Sequence, residues 1–206
     1  MIERLDEVSG RAVSRETFDV LERYSALLRQ EAAVQNLVSA STIHNLWERH
    51  IVDSAQLVRF EPRPGASWVD IGAGAGLPGI VIAALVEGPV LLVEPRRLRA
   101  EFLARAVGEL GLANRVIVLA AKAERATGEF DVITARAVAK VDLLLKLFTH
   151  LSTTNSLWVL PKGRNAGSEL AEARRSWQCE AESVPSLTDP DSEILLLRRV
   201  RAKGKR

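Results

Sequence analysis

The sequence is poor in the residues that form disulfides or bind metal ions. Of its 206 residues, one is a cysteine, Cys179, and three are histidines. A single cysteine excludes an internal disulfide and argues against a thiolate metal site. The histidines, His44, His50 and His150, do not have the spacing of metal ligands. We therefore predict no metal site.

The sequence also lacks a signal segment and a membrane-spanning segment. Its first seven residues, MIERLDE, are mostly charged and contain no apolar core. The apolar run that follows Gly79 is shorter than the ~20 residues that cross a bilayer. We therefore expect a soluble cytoplasmic protein without membrane contacts, and we expect a monomer.

Charge is nearly balanced overall but is unevenly distributed. The formal net charge is +2, with 47% hydrophobic and 26% charged residues, which is typical of a packed soluble core. The last nine positions nevertheless contain six basic residues: Arg198, Arg199, Arg201, Lys203, Lys205 and Arg206. Such a tail either is solvated or contacts phosphate groups, and both alternatives are open.

Sequence patterns divide the chain into two parts. Residues 1–62 are predicted to be a helical N-terminal extension, with helices over 14–37 and 45–60. Residues 63–206 alternate strands and helices and end in the basic tail. This alternation predicts an α/β fold with a mostly parallel sheet and helices on both faces. The final predicted strands, 182–187 and 193–200, form an antiparallel pair.

A glycine-rich turn follows the first predicted strand. In the stretch 70–79, DIGAGAGLPG, three glycines alternate after an acidic residue. Pro78 suits the first turn of the helix that follows. Strand, turn and helix form the first half of a nucleotide-binding βαβ unit. Residues 74–79 also match the dinucleotide pattern GxGxxG, and Glu94 follows about 20 residues later, as that pattern expects.

The charge of Asp70 distinguishes between two possible cofactors. NAD places a pyrophosphate against this turn, and a carboxylate would repel it. S-adenosylmethionine carries a sulfonium and an ammonium, which Asp70 would attract directly or through water. The turn therefore favours S-adenosylmethionine and a Rossmann-like methyltransferase fold, although Asp70 is alternatively only a helix cap. Predicted cofactor contacts are Asp70, Gly72, Ala73, Gly74, Gly76 and Pro78.

Other charged side chains follow the ends of the next predicted strands. Glu94 ends the second strand, Glu124 follows the third and Arg136 follows the fourth. Ligands of parallel sheets bind beyond the carboxyl ends of the strands, so these residues should converge on one crevice. Glu94 can accept two hydrogen bonds from ribose hydroxyls. Ala123 and Glu124 are predicted beside the adenine. For each acid, a solvated surface position is the alternative.

Arg136 is the predicted catalytic residue, because the fourth strand opens over the transferred methyl group. An arginine is always protonated and cannot act as a base. It can instead fork onto a phosphate or onto O6 and N7 of guanine. The alternative is a salt bridge to Asp70 or Asp131.

Absent motifs narrow the class of acceptor. No Asn/Asp-Pro-Pro-Tyr/Phe motif, which serves exocyclic amine methylation, follows the fourth strand. Cys179 has no Pro-Cys context, which argues against covalent attack on a pyrimidine. No acid pair of the arginine-methylating kind follows the fourth strand. The remaining acceptors need little proton removal, such as a ring nitrogen whose lone pair is positioned in line with the methyl group.

Four stretches carry a resemblance to a known family. They are NLVS at 36–39, RHIVDS at 49–54, DIGAGAGLPG at 70–79 and ARAVA at 135–139, with LPKG at 160–163 in the matching place. Together they resemble the bacterial small-subunit ribosomal RNA guanine-N7 methyltransferase family, also called glucose-inhibited division protein B. The resemblance covers about residues 15–200. The sequence departs from the family at Glu31-Ala32, where members often carry Trp-Asn. This difference affects only a packing contact or a peripheral RNA contact of the N-terminal helices.

The resemblance implies methylation of one guanine N7 in 16S rRNA of the small ribosomal subunit. It implies S-adenosylmethionine contacts at Gly72, Leu77, Ala123, Glu124 and Arg136. Two alternatives from the residues alone are a small-molecule or protein methyltransferase and an NAD-binding regulatory protein.

Basic residues around the crevice are candidates for RNA binding. Arg49 and His50 either lie near the target base or anchor the N-terminal helices to the sheet. A phosphate-binding rim is predicted at Arg96, Arg97, Arg99, Lys162 and Arg164.

Overall fold

The computed structural model describes residues 1–35 and 43–204. The NLVS stretch at 36–39 and the last two tail residues, Lys205 and Arg206, lie outside the described residues.

A seven-stranded sheet forms the centre of the molecule. Its strands are β1 (Trp68–Ile71), β2 (Val90–Val93), β3 (Val116–Leu119), β4 (Phe130–Thr134), β5 (Ser152–Lys162), β6 (Trp177–Pro185) and β7 (Glu193–Ala202). The spatial order is β3-β2-β1-β4-β5-β7-β6. The first five strands are parallel, and β7 runs antiparallel to both of its neighbours. The predicted α/β fold, with a mostly parallel sheet and an antiparallel C-terminal strand, is confirmed.

Helices cover both faces of the sheet. They are α1 (Ile2–Ser9), α2 (Arg15–Ala32), α3 (Asp53–Ala55), α4 (Gly79–Leu85), α5 (Arg97–Glu109), α6 (Val141–Phe148) and α7 (Ala166–Ser176). One apolar cluster contains α1, α2, α4 and α5, and a second contains α6 and α7. Because helices lie on both faces, the central strand β1 is buried along its whole length.

The N-terminal extension packs on the same core as the sheet. Leu5, Leu21 and Ile51 are fully buried in one cluster with Trp68 of β1 and Ile80 of α4. The helix predicted over 14–37 begins as expected, because the Ser14 side chain accepts a hydrogen bond from the Thr17 N–H, but it ends at Ala32. The eight-residue helix α1 was not predicted.

The segment predicted as one helix over 45–60 is a chain of short helical pieces. A 3₁₀ turn at Ile43–Asn45 precedes a π-helix at Trp47–Val52, the single turn α3, and a second 3₁₀ turn at Gln56–Phe60. Apolar spacing predicted the helical character but not the change of hydrogen-bond pattern. The other 3₁₀ turns are Ala123–Arg125 and Thr149–Leu151.

The C-terminal end differs from the prediction in two places. The first strand of the antiparallel pair was predicted at 182–187, but β6 begins at Trp177, directly after α7, and Trp177 packs in the apolar cluster of α6 and α7. Strand β7 extends to Ala202, so Arg198, Arg199 and Arg201 are held on a strand and not in a free tail.

Candidate active site

The glycine-rich turn crosses from β1 to α4 at the carboxyl edge of the sheet. Its first N–H groups, from Gly72 and Ala73, donate to the Val93 carbonyl at 2.8 and 3.0 Å. Gly72 and Gly76 have φ angles of 69° and 94°, which disfavour any side chain. A Cβ on Gly72 would lie 2.7 Å from Val138 Cγ2, and one on Gly76 would lie 2.6 Å from Ile80 Cδ1. Both conformation and space therefore require glycine here.

Asp70 lies beneath this turn and is 1% exposed. Its Oδ2 accepts a hydrogen bond of 2.8 Å from the N–H of Gly79, the first residue of α4, as in the helix-capping alternative. Its Oδ1 is buried without a hydrogen-bond partner among the described residues. Burial raises the pKa of Asp70 to about 7, although the Gly79 N–H and the charge of Arg136 lower it. An unpaired buried carboxylate oxygen fits a positively charged ligand better than a pyrophosphate.

Glu94 connects the glycine turn to the end of β2 through hydrogen bonds. Its two carboxylate oxygens accept hydrogen bonds of 2.8 Å from the N–H groups of Gly74 and Arg96. Each oxygen keeps a further lone pair, so these bonds leave room for a ribose hydroxyl. The predicted contact of Glu94 with ribose stays a prediction.

The remaining predicted cofactor residues share this edge of the sheet. Ala123 is buried and Glu124 is exposed in the 3₁₀ turn after β3, beside the end of β2. Ala73 and Leu77 are also buried, so any contact from the turn comes mainly from its backbone. Pro78 occupies the N-cap position of α4, one residue before the predicted first turn.

Arg136 follows β4 and meets the N-terminal extension. Its Nη1 donates to Asp53 Oδ2 at 3.1 Å, and its Nη2 lies 3.5 Å from His50 Nδ1. The expected alternative partners do not bind it: Asp131 pairs with Arg63. Burial, reinforced by the charge of Arg136, lowers the pKa of His50 to about 4. His50 is therefore neutral at neutral pH, and its Nδ1 can accept from Arg136.

Asp53 is a site residue that the sequence interpretation missed. Its Oδ1 accepts hydrogen bonds from Gln56 Nε2 at 2.9 Å and from Thr188 Oγ1 at 2.6 Å. The buried Gln56 in turn accepts from the N–H of Leu187 at 2.9 Å. Asp53 therefore positions Arg136, and Asp53 is itself positioned by the hydrogen bonds from Gln56 and Thr188. The RHIVDS stretch contained Asp53, but sequence alone gave no sign of its partner.

A cavity of about 480 Å³ adjoins Arg136. Its walls come from the extension, from residues 136–139 after β4, from the end of β5 and from the start of β7: Asp53, Gln56, Arg136, Ala137, Val138, Ala139, Pro161, Lys162, Gly163, Glu169, Ser186, Ser192, Glu193 and Ile194. Val138, which lines the cavity, also lies close to Gly72 of the glycine turn. Arg136 lines the same cavity, and its charge lowers the pKa of Asp70 beneath the turn.

The predicted RNA-binding residues occupy different environments. Lys162 is largely buried, because its ammonium donates to the Ala139 carbonyl at 2.7 Å and pairs with Glu169 at 2.9 Å. Through these contacts Lys162 supports residues 136–139, and it also lines the cavity. Any contact between Lys162 and RNA stays a prediction.

The other basic residues are at the surface. Arg49 pairs with Asp189, Arg164 with Asp191 and Arg97 with Glu101, and all three arginines are exposed, as is Arg96. Exposed ion pairs contribute little free energy, so these guanidinium groups can exchange their partners for phosphates. Their RNA contacts stay predictions.

Similarity to solved structures defines the class of fold. A methyltransferase described as S-adenosylmethionine-dependent, from Aquifex aeolicus, matches with a TM-score of 0.61 at 14% identity, over 79% of this chain and 99% of that chain. A methyltransferase from Geobacter sulfurreducens matches with a TM-score of 0.56 at 16% identity, over 85% and 88%. The chain therefore has the Rossmann-like fold of S-adenosylmethionine-dependent methyltransferases.

Sequence relatives identify the family of methyltransferases within this fold class. The family described as rRNA small subunit methyltransferase G matches residues 17–195. Proteins named ribosomal RNA small subunit methyltransferase G are 43% identical in Zymomonas mobilis, over 98% of this chain and 94% of that protein, and 47% identical in Sphingopyxis alaskensis, over 90% and 80%. The chain belongs to this family, which confirms the resemblance.

Among the helices of residues 1–35 and 43–204, none has both the length and the apolar character needed to cross a membrane.

Proposed function

We propose that this protein transfers a methyl group from S-adenosylmethionine to N7 of a guanine in 16S rRNA of the small ribosomal subunit. Family membership supports the ribosomal RNA substrate. The observation that carries the mechanism is the position of Arg136, which lines the 480 Å³ cavity while its charge acts on Asp70 beneath the glycine turn. This arrangement suits a cofactor on one side of Arg136 and an acceptor base on the other.

The residues at the carboxyl edge fit the proposed cofactor. When bound, S-adenosylmethionine supplies a methyl group on a positively charged sulfur. The buried carboxylate of Asp70 favours positive charge near the turn, since its Oδ1 has no hydrogen-bond partner among the described residues. Glu94 has lone pairs for the ribose, and Ala123 and Glu124 lie at the edge proposed for the adenine. An NAD pyrophosphate would meet the charge of Asp70 instead.

The side chains around Arg136 favour an acceptor that needs no deprotonation. Arg136 stays protonated, and His50, with a pKa of about 4, is a weak base at neutral pH. Guanine N7 offers a free lone pair, with the O6 acceptor beside it. We propose that Arg136 donates to O6 and leaves N7 open. Catalysis then consists mainly of positioning, which also explains why Asp53 and His50 fix the guanidinium.

Substitution of Arg136 tests this proposal. Lysine keeps the charge but loses the planar fork, so Arg136→Lys should lose methyl transfer nearly as severely as Arg136→Ala. A displacement of about 1 Å costs on the order of 100-fold in rate. The measurement is single-turnover methylation of small subunits, and of naked 16S rRNA, from a strain that lacks the modification, with N7-methylguanine mapped in the product.

The matched control is Arg15→Lys, which changes an exposed arginine paired with Asp19. It should keep the normal rate. A normal rate for Arg136→Lys would refute the orienting role, and methylation of an atom other than N7 would refute the proposed acceptor.

A further inference from the structure

A second group of basic residues lies at the amino ends of the parallel strands, at the opposite end of the sheet from Arg136. Strand β7 begins beside the carboxyl end of β5, where Glu193 pairs with Lys162, and runs antiparallel to it. Its last residues therefore lie towards the amino end of β5, where Ala202 pairs with Trp177. The 11 residues of β5 span roughly 35 Å. The glycine turn and these cations are thus separated by the length of the sheet.

A β-bulge decides which side chains of β7 face outwards. Leu195 and Leu197 pack into the apolar cluster of α6 and α7, and the next residue of β7 to do so is Val200. The spacing changes from two to three because the register shifts between Gln178 and Glu180 of β6. Strict alternation after Leu197 would instead point Arg199 and Arg201 at the core. The bulge turns Val200, which is partly buried, towards the core and keeps these arginines exposed.

The exposed cations line an open groove of about 890 Å³, which we call the amino-edge groove. It is lined by Arg175, Gln178, Arg201, Ala202, Lys203 and Gly204. Three of these residues are basic and none is acidic. Arg201 bonds the neutral amide of Gln178, and Lys203 bonds the carbonyl of Arg174. Hydrogen bonds therefore hold these two charges in place, and within residues 1–35 and 43–204 no carboxylate forms an ion pair with either of them.

We propose that the amino-edge groove binds phosphate groups of the ribosomal RNA backbone, as a second contact remote from the methylated base. An arginine held beside a neutral amide, as Arg201 is beside Gln178, suits phosphate oxygens, which accept from both. A nucleotide in the catalytic cavity does not reach the opposite edge of the sheet, whereas a folded RNA surface does. This inference rests on the proposed function, since that function supplies the large polyanion.

The test removes three charges from the groove. In the variant Arg175→Gln/Arg201→Gln/Lys203→Gln, the slope of log affinity against log salt for small subunits should fall by about 2 to 3, because each lost phosphate contact contributes about 0.7 to 0.9. Between 50 and 200 mM salt, wild-type affinity should then decline roughly 20- to 40-fold more than variant affinity. The affinity for S-adenosylmethionine should be unchanged, which also reports correct folding.

The matched control removes three exposed arginines from α2, as Arg15→Gln/Arg23→Gln/Arg29→Gln. This variant has the same net charge as the groove variant and should keep the wild-type slope. Equal slopes for the two triple variants would overturn the proposal, because net charge would then explain the effect. Weaker binding to anionic vesicles with unchanged subunit binding would also overturn it. Because binding is measured without turnover, failure to methylate N7 refutes the proposed function separately.

Discussion

Asp70 stabilises the glycine turn above it, but its burial disfavours the ionised form of its carboxyl group. The carboxylate caps α4 through Gly79, yet its second oxygen is buried without a partner among the described residues. Its pKa is about 7 in the folded protein, against about 3.8 when exposed. The folded state therefore retains a proton that the unfolded state releases. The stability contributed by this group is lost as pH rises from about 4 through 7.

Asp70→Asn should remove this dependence on pH. Between pH 5 and pH 8, the free energy of unfolding of the wild type should fall relative to that of Asp70→Asn, because only the wild type must ionise a buried carboxyl group. The measurement is urea unfolding of both proteins at several pH values without cofactor. Added S-adenosylmethionine should reduce the difference, since a cation favours the carboxylate.

Parallel stability curves for the two proteins would contradict the raised pKa. The comparison between them cancels the titration of every other group, including His50, whose lowered pKa makes the folded state lose stability as pH falls from about 6.5 to about 4.

At the residue scale, sequence predicted positions better than partners. Asp70, Glu94 and Arg136 were placed at the carboxyl edge because each ends or follows a predicted strand, and strand ends in a parallel sheet share one edge. The partner of Arg136 was not predictable, because Asp53 lies 83 positions away and on an irregular helical segment. The sequence pattern determines at which end of the strands a residue lies, but tertiary packing determines which side chain it contacts.

Among the elements, α2 has a direct connection to the glycine turn. Tyr24 is fully buried, and its hydroxyl donates to the Ala75 carbonyl at 2.8 Å. Burial raises the pKa of Tyr24 well above its usual value, so the hydroxyl keeps its proton and remains a donor. The helix of the N-terminal extension thereby fixes the backbone between Gly74 and Gly76, where the cofactor is proposed to bind.

Tyr24→Phe should weaken cofactor binding as well as stability. The substitution leaves a buried carbonyl without its donor, which costs about 1–3 kcal/mol, and part of that cost should appear as lower affinity because the turn loses its preferred conformation. Calorimetric titration with S-adenosylmethionine and urea unfolding measure the two effects.

Ser14→Ala provides the comparison on the same helix. It removes the N-cap of α2 and should cost about 1 kcal/mol of stability without changing cofactor affinity, because Ser14 is ten residues from Tyr24 along the helix. If both variants bind the cofactor as the wild type does, Tyr24 supports only the fold.

The elements that sequence predicted least well are those with mixed geometry. The 43–60 segment has helical apolar spacing, but its π-helix and 3₁₀ turns follow from packing against α1, α2 and α4. In β6, Trp177, Cys179 and Ala181 pack on the apolar cluster while Gln178 and Glu180 are exposed. This alternation is a strand signal, but the predicted strand began only at residue 182.

On the scale of the whole molecule, we propose that the extension, residues 1–62, and the sheet part, residues 63–206, unfold together. The two were predicted as separate parts, but their buried side chains belong to one apolar cluster. Arg11 of the extension adds a polar contact between the two parts, since its Nη1 donates to the Leu85 carbonyl at 3.1 Å. A shared core makes separate unfolding costly.

Thermal unfolding should therefore be a single cooperative transition, with equal calorimetric and van't Hoff enthalpies. Differential scanning calorimetry measures both. Two resolved transitions, or a calorimetric enthalpy well above the van't Hoff value, would show that the extension unfolds independently of the sheet.

The contact between Tyr24 and the glycine turn also has a practical use. Tyr24 is the only tyrosine in the chain. In protein labelled with carbon-13 at tyrosine alone, the NMR spectrum contains the signals of one ring. The hydroxyl of that ring donates to the carbonyl of Ala75, which lies between two glycines of the turn. A change in the resonances on adding a ligand would therefore report on this one place, without any assignment of the spectrum.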